Sequence, residues 1–238
     1  MLHHRAWISA LASVAIVSAQ LPKADTSTPR QQALLAEVQL TADDFQREIK
    51  DSGFQPTRPA PAIQISTIPQ LSVFFDPSDT VVTGQWEELP PQVKQLMEQM
   101  LGGRQGFEDG FHKFFFVHEL GHWAQSQGKK MSTVNQPPNH YLYELEANRI
   151  SIAYWRRRDF SFANNLISQY RKAYDAMPNP VPAGEKLEDY FNGHYDDLGR
   201  NPAAYGWYQL RLVIAAADEK PAPTLAQLLK ALPDLTYP

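Results

Sequence analysis

The sequence contains no cysteine in 238 residues, which removes two structural devices at once. The chain can form no disulfide bond, and no thiolate can bind a metal ion. Its formal net charge is −4, without the excess of lysine and arginine that is typical of nucleic-acid-binding proteins. We therefore expect no nucleic-acid partner, and any metal site must use histidine, aspartate or glutamate.

Long apolar segments are also scarce, and the one candidate stands at the N-terminus. Arg5 is followed by a mainly apolar run over residues 6–17 and by the small-residue sequence Val17-Ser18-Ala19. This order predicts a signal peptide, residues 1–19, that is cleaved between Ala19 and Gln20. The run is too short to cross a bilayer comfortably, so we expect a secreted or periplasmic protein with no stable membrane span after cleavage. The alternative is an uncleaved N-terminal membrane anchor.

The mature chain predicts an α+β fold that is mostly helical. Residues 20–61 read as a helical arm with a proline-rich linker, and residues 62–238 read as one domain. Short runs of strand-forming residues at 63–65, 71–75 and 80–83 predict a small antiparallel sheet. We expect this sheet to pack on the helix that carries the main motif of the chain.

That motif is the segment His118-Glu119-Leu120-Gly121-His122. His118 and His122 are one turn apart, so their imidazoles leave the same face of a helix and can bind one Zn²⁺ ion. Glu119 lies about 100° further round the helix, where it can reach a water molecule but cannot join the histidine pair. The helix is apolar on all sides, which predicts that it is buried. The alternative is that both histidines are ordinary hydrogen-bonded core residues.

A second helix, over residues 139–157, offers a third metal ligand. Glu144 lies at the centre of its apolar face, where an unpaired carboxylate would be costly. A metal ion held by His118 and His122 would supply the missing positive charge. Glu146 lies on the opposite, arginine-rich side, where we expect its carboxylate to be solvated or loosely paired.

Small and polar residues accompany Glu144 on this helix. Ala147 and Ser151 are small enough to let the second helix approach the motif helix closely. Asn148 lies beside them and is a candidate partner for the ring N–H of a histidine ligand, a contact that would fix the orientation of the imidazole.

The two segments together resemble the gluzincin metallopeptidases, in which a glutamate on a second helix completes a site of two histidines and one glutamate. The form Glu144-Leu145-Glu146-Ala147-Asn148 is similar to that of the ImmA/IrrE-type metallopeptidases. The resemblance covers about residues 111–150, and residues 149–151 depart from the ImmA/IrrE pattern. It implies a zincin-like fold and one zinc ion, with the ligands His118, His122 and Glu144 and the catalytic carboxylate Glu119.

The resemblance implies hydrolysis of a peptide or protein substrate. Glu119 would act as general base on a zinc-activated water. Gluzincins stabilise the oxyanion with a histidine or tyrosine from a later segment. The candidates here are His194, Tyr195, Tyr205 and Tyr208, of which we retain His194 and Tyr205. A strand edge near residues 71–75 or 81–86 is a candidate site for an extended substrate.

Two other functions stay open on the sequence. The first is a non-catalytic zinc-binding protein of the cell envelope, or a peptide-binding protein, in which the zinc ion is structural. The presence of Glu119 argues against it, because a structural site has no need of that carboxylate. The second is a zinc hydrolase whose substrate is not a peptide. The sequence predicts no oligomeric state.

Overall fold

The computed structural model describes residues 28–75, 78–127, 130–131, 139–232 and 236–237. The predicted signal peptide and its cleavage site lie outside these residues. Within the described ranges, no helix combines the length and the apolar composition that crossing a membrane requires.

Helices make up most of the described chain, which confirms the prediction of a mainly helical α+β protein. The elements before the motif are α1 (Pro29–Asp51), β1 (Ala62–Ile65), β2 (Val73–Phe75), β3 (Thr80–Thr83), α2 (Pro91–Leu101) and α3 (Arg104–Phe107). The motif helix and the later elements are α4 (Phe115–Gln127), β4 (Lys130–Met131), α5 (His140–Arg158), α6 (Phe160–Ala176), α7 (Leu187–Gly193), α8 (Tyr195–Gly199), α9 (Pro202–Asp218), α10 (Leu225–Ala231) and β5 (Thr236–Tyr237). The short strands β4 and β5 form a separate parallel pair.

The three-stranded sheet is mixed, which corrects the prediction of an antiparallel sheet. Its order is β1-β3-β2, so β3 is the central strand. β2 and β3 are antiparallel, with Phe74 opposite Val81, whereas β1 is parallel to β3, with Ile63 opposite Val81. A parallel pair needs a crossover of a dozen or so residues, and the chain between the end of β1 and the start of β3, which includes β2, is long enough for one. The residue pattern of a single strand does not show the direction of its neighbour, so the parallel pairing was not predicted.

Helix α1 packs against β1 and α4 and contributes to the main core. Thr28 and Gln31 form a capping box at its N-terminus, which satisfies backbone donors that the first turn leaves free. The helix buries Val38, Phe45 and Ile49, each at most 1% exposed. The predicted N-terminal arm therefore shares its apolar face with the rest of the molecule.

Helices α4 and α5 approach each other closely because small residues face each other at their contact. A Cβ atom placed on Gly121 would lie only 3.3 Å from the Cα atom of Ala147. One turn further along α5, the hydroxyl of Ser151 donates to the carbonyl oxygen of Phe114 at 2.7 Å. Ala147 and Ser151 thus bring α5 against the motif helix, as their size predicted.

Candidate metal centre

The motif helix is preceded by a π-helical segment, Glu108–Phe114. Helical backbone starts at Arg104, in the short helix α3 that leads into this segment. In this segment the carbonyl oxygen of Phe111 accepts a hydrogen bond from the hydroxyl of Ser72 at 2.8 Å. This contact joins the helix to the segment that leads into β2.

His118 and His122 project from α4 toward Glu144 on α5. Their Nε2 atoms lie 3.2 Å and 3.5 Å from Oε2 of Glu144. All three residues are buried, with exposed fractions of 2%, 6% and 3%. Their ligand atoms lie within 4.8 Å of one another. These three residues could therefore hold one metal ion between them.

Each histidine is fixed through its other ring nitrogen. Nδ1 of His118 lies 3.1 Å from Oδ1 of Asn148, and Nδ1 of His122 lies 2.7 Å from Oε1 of Gln125. Because an amide oxygen can only accept a hydrogen bond, both Nδ1 atoms carry the ring proton. The Nε2 lone pairs are then free and face Glu144. This is the tautomer that a metal-binding histidine requires.

Donors from α8 and α9 surround the carboxylate of Glu144. Oε1 accepts hydrogen bonds from the hydroxyls of Tyr195 and Tyr205, each at 3.0 Å. Oε2 accepts one from Nε2 of Gln209 at 2.8 Å. The other amide atom of Gln209, Oε1, accepts from Nδ2 of Asn148 at 3.3 Å. Gln209 therefore links the residue that orients His118 with the third ligand.

The charges of the group fit a site for a cation. Burial opposes ionisation of Glu144, but the charge of His122 and contacts with both histidines hold the pKa of this carboxyl well below its usual value. Burial lowers the pKa of His118, and the neighbouring His122 adds to that effect. Burial acts on His122 in the same sense, but the charge of Glu144 outweighs it and raises the pKa of His122. The ionised form of Glu144 is thus favoured beside the two histidines, at the place where a metal ion would lie.

Glu119 is buried beside the three ligands and is held separately from them. Its Oε2 atom accepts a hydrogen bond from the backbone N–H of Phe74, at 2.8 Å, on strand β2. Burial raises the pKa of Glu119 to about 8, against the opposing effects of the His122 charge and the Phe74 hydrogen bond. A carboxylate with a pKa near neutrality can both accept and return a proton.

Glu146 is buried, so the prediction that its carboxylate is solvated or loosely paired is wrong. It is 5% exposed, and it forms an ion pair with Arg149, which also pairs with Glu219. Helix α5 contacts α4, α9 and α10, so its second face is covered as well. Glu146 does not belong to the group of three ligands.

The structure places the two predicted oxyanion residues differently. The hydroxyl of Tyr205 is at the candidate metal centre, where it donates a hydrogen bond to Glu144. His194 is exposed, and its Nδ1 atom lies 3.0 Å from the carbonyl oxygen of Tyr190 while its ring stacks on that of Tyr190, with centroids 4.2 Å apart. The next residue, Tyr195, is the one that contacts Glu144.

Two contributors to the site, Gln125 and Gln209, were not assigned from the sequence, although both carried a signal. Gln125 lies three residues after His122 on the same helix face, and Gln209 lies one turn after Tyr205. Tyr195 stands on a separate short helix, and no spacing in the sequence relates it to Glu144.

No family model, curated protein or solved structure matches this chain. The site itself must therefore support any function. Three buried side chains converge on one point, each has an outer hydrogen-bond partner, and a fourth buried side chain, the carboxylate of Glu119, lies next to them.

Proposed function

We propose that this protein is a zinc-dependent hydrolase that cleaves peptide bonds. In this proposal His118, His122 and Glu144 bind one zinc ion, and Glu119 is the general base. The observation that carries it is the buried Glu119 carboxylate, which is oriented by Phe74 and is not needed to hold a metal ion. A metal site with a purely structural role does not require such a group.

The donor set and its spacing support zinc. Zinc binds imidazole nitrogen and carboxylate oxygen at about 2.0–2.1 Å with tetrahedral geometry, so two of its ligand atoms lie about 3.3 Å apart. The Nε2 atoms of His118 and His122 lie 3.2 Å and 3.5 Å from Oε2 of Glu144. Two histidines and one glutamate also form a known ligand set of catalytic zinc sites, in which a fourth position stays open.

The roles of the protein groups follow from their positions. A zinc ion held here would supply a Lewis acid that acidifies water and polarises a substrate carbonyl. Glu119 accepts the proton of the attacking water and returns it to the leaving amine. The N–H of Phe74 holds one oxygen of Glu119 in place, so that the carboxylate needs no reorientation as the proton moves. Asn148 and Gln125 keep the two imidazoles in the metal-binding tautomer.

Strand β2 is the candidate site for an extended substrate. It forms one edge of the sheet, whereas β3 is paired on both sides and cannot accept another strand. Residues 81–83 of the second predicted site, 81–86, belong to β3 and therefore cannot pair with a substrate strand. A peptide that paired with β2 would pass beside Glu119, because Phe74 directs its N–H to that carboxylate. Backbone pairing of this kind tolerates many substrate sequences.

The resemblance to gluzincins and the predicted signal peptide complete the proposal. The first favours a peptide substrate, and the second favours action outside the cytoplasm. N-terminal sequencing of the mature protein should yield Gln20 or a neighbouring residue, in a soluble fraction. An intact Met1 terminus recovered with membranes would contradict export with cleavage and favour the anchored alternative.

The variant Glu119→Gln tests the proposed function, because it removes the base and keeps the size of the side chain. We expect unchanged zinc content and thermal stability, with hydrolysis of a broad peptide library reduced by roughly 10²–10⁴-fold. Glu146→Gln is the matched control, a second buried glutamate changed in the same way, and it should retain activity. A zinc-loaded parent that cuts no peptide, or a fully active Glu119→Gln variant, would overturn the proposal.

A further inference from the structure

The carboxylate of Glu144 has a defined number of positions at which it can accept a donor or a metal ion. An ionised carboxylate offers about four lone-pair positions, two on each oxygen. At Oε1 the hydroxyls of Tyr195 and Tyr205 occupy both. At Oε2 the amide of Gln209 occupies one. One position is left, on Oε2, and that atom is the one nearest to both histidines.

The surroundings of both tyrosines hold their hydroxyls at the Glu144 carboxylate. The ring of Tyr195 is stacked face to face on His140, with centroids 4.0 Å apart and an interplanar angle of 7°. Tyr205 extends from α9, the helix that also carries Gln209.

We propose that Tyr195 and Tyr205 are positioning residues that make Glu144 a one-oxygen metal ligand. This inference rests on the proposed metal site. It goes further, because it names the two residues outside the ligand group that keep the fourth coordination position open. Glutamate can bind a metal ion through one oxygen or through both. The two hydroxyls occupy Oε1 and keep it from binding the metal ion, so the two histidines and Oε2 supply three ligand atoms. The remaining tetrahedral position is then free for water or substrate.

Removing the two hydroxyls should change the coordination of the metal. Without them, Oε1 is a buried oxygen that lacks its partners, and binding to the metal ion satisfies it. Glu144 then acts as a two-oxygen ligand and the coordination number rises. The expected signature is spectroscopic, since the geometry around a Co²⁺ ion determines its visible absorption. A merely structural role for the tyrosines would leave that absorption unchanged.

The test uses the full-length protein with Co²⁺ as the probe. The variants are Tyr195→Phe, Tyr205→Phe and the double variant, and the matched control is Tyr208→Phe. Tyr208 is a buried tyrosine on α9, but its hydroxyl donates to the carbonyl oxygen of Leu187 at 3.2 Å and not to Glu144. X-ray absorption of the zinc-loaded proteins counts the oxygen atoms bound to the metal and provides a second measurement.

The parent and Tyr208→Phe should give a tetrahedral Co²⁺ spectrum. The double variant should give a weaker spectrum of higher coordination, with the single variants between the two. A double variant that is indistinguishable from the parent, or a parent whose metal already binds both oxygens of Glu144, overturns the inference. If the double variant does not fold, the single variants decide by the same criterion.

Failure of this inference is separable from failure of the proposed function. Peptide hydrolysis that depends on Glu119, together with an unchanged spectrum in the tyrosine variants, rejects only the role of the tyrosines. If the parent hydrolyses no peptide but the spectrum of the tyrosine variants differs from that of the parent, the coordination role is supported and the enzymatic function is rejected.

Discussion

Glu144 and Glu146 lie two residues apart on helix α5 and are buried to nearly the same degree, but their carboxylates have different surroundings. Glu144 is 3% exposed and Glu146 is 5% exposed. Glu144 faces the two histidines and accepts hydrogen bonds from neutral donors. Glu146 faces Arg149, which supplies a permanent positive charge within the protein. The first carboxylate thus has room for a cation, and the second already has one.

The difference shows that burial alone does not identify a functional carboxylate. Burial raises the pKa of Glu146 even though Arg149 opposes the shift. The pKa of Glu144 is held well below its usual value despite equal burial. A buried carboxylate that remains ionised opposite two histidines, without a lysine or arginine partner among the described residues, is the stronger indication of a metal site.

The largest expected effect separates the two glutamates directly. Glu144→Ala removes a ligand, so the purified protein should lose its zinc, about one ion per chain in the parent. Glu146→Ala should keep nearly all of it, because that carboxylate is not in the ligand group. Metal analysis by mass spectrometry measures both. Equal loss in the two variants would break the comparison.

The second expected effect concerns the stability of the protein, and here the substitution at Glu146 is the one that matters. Among the described residues, Glu146→Ala leaves Arg149 with Glu219 as its one ion-pair partner. The change should lower the free energy of unfolding by about 3 kcal/mol. Chemical denaturation of the metal-free protein measures this. Glu146→Gln, which keeps a hydrogen-bond acceptor, should cost less. A Glu146→Ala variant as stable as the parent would show that the buried ion pair contributes nothing.

The smallest effect sharpens the comparison at two adjacent residues. Asn148 orients His118, so Asn148→Ala should weaken zinc binding by roughly 10- to 100-fold without removing a ligand. Arg149→Gln, one residue further along, belongs to the ion-pair side and should leave the affinity within about twofold. Competition with a chelator gives both dissociation constants. An Asn148→Ala variant with the affinity of the parent would argue against the orienting contact.

The grouping of His118, His122 and Glu144 was predictable because each position follows from helix periodicity. One turn separates His118 and His122, and Glu144 lies at the centre of an apolar face. The error at Glu146 has the same origin. A helical wheel places it on the far side of α5, but it cannot show that Glu219 and residues of α10 lie beside it there.

The outer residues of the site and the sheet order depended on tertiary contacts. Tyr195 and Gln209 reach Glu144 across 51 and 65 positions of the chain, and no local pattern encodes such contacts. The parallel pairing of β1 with β3 likewise results from the route of the chain between them. In contrast, Ala147 and Ser151 were assigned correctly, because small size on a buried helix face has a direct packing consequence.

The most direct test of the account is the position of bound zinc in a crystal of the metal-loaded protein, located by anomalous scattering at the zinc absorption edge. We expect one peak about 2.0–2.1 Å from Nε2 of His118, Nε2 of His122 and Oε2 of Glu144. A fully occupied zinc ion elsewhere, for instance at His194 or Glu146, with no peak between the three ligands, would contradict it.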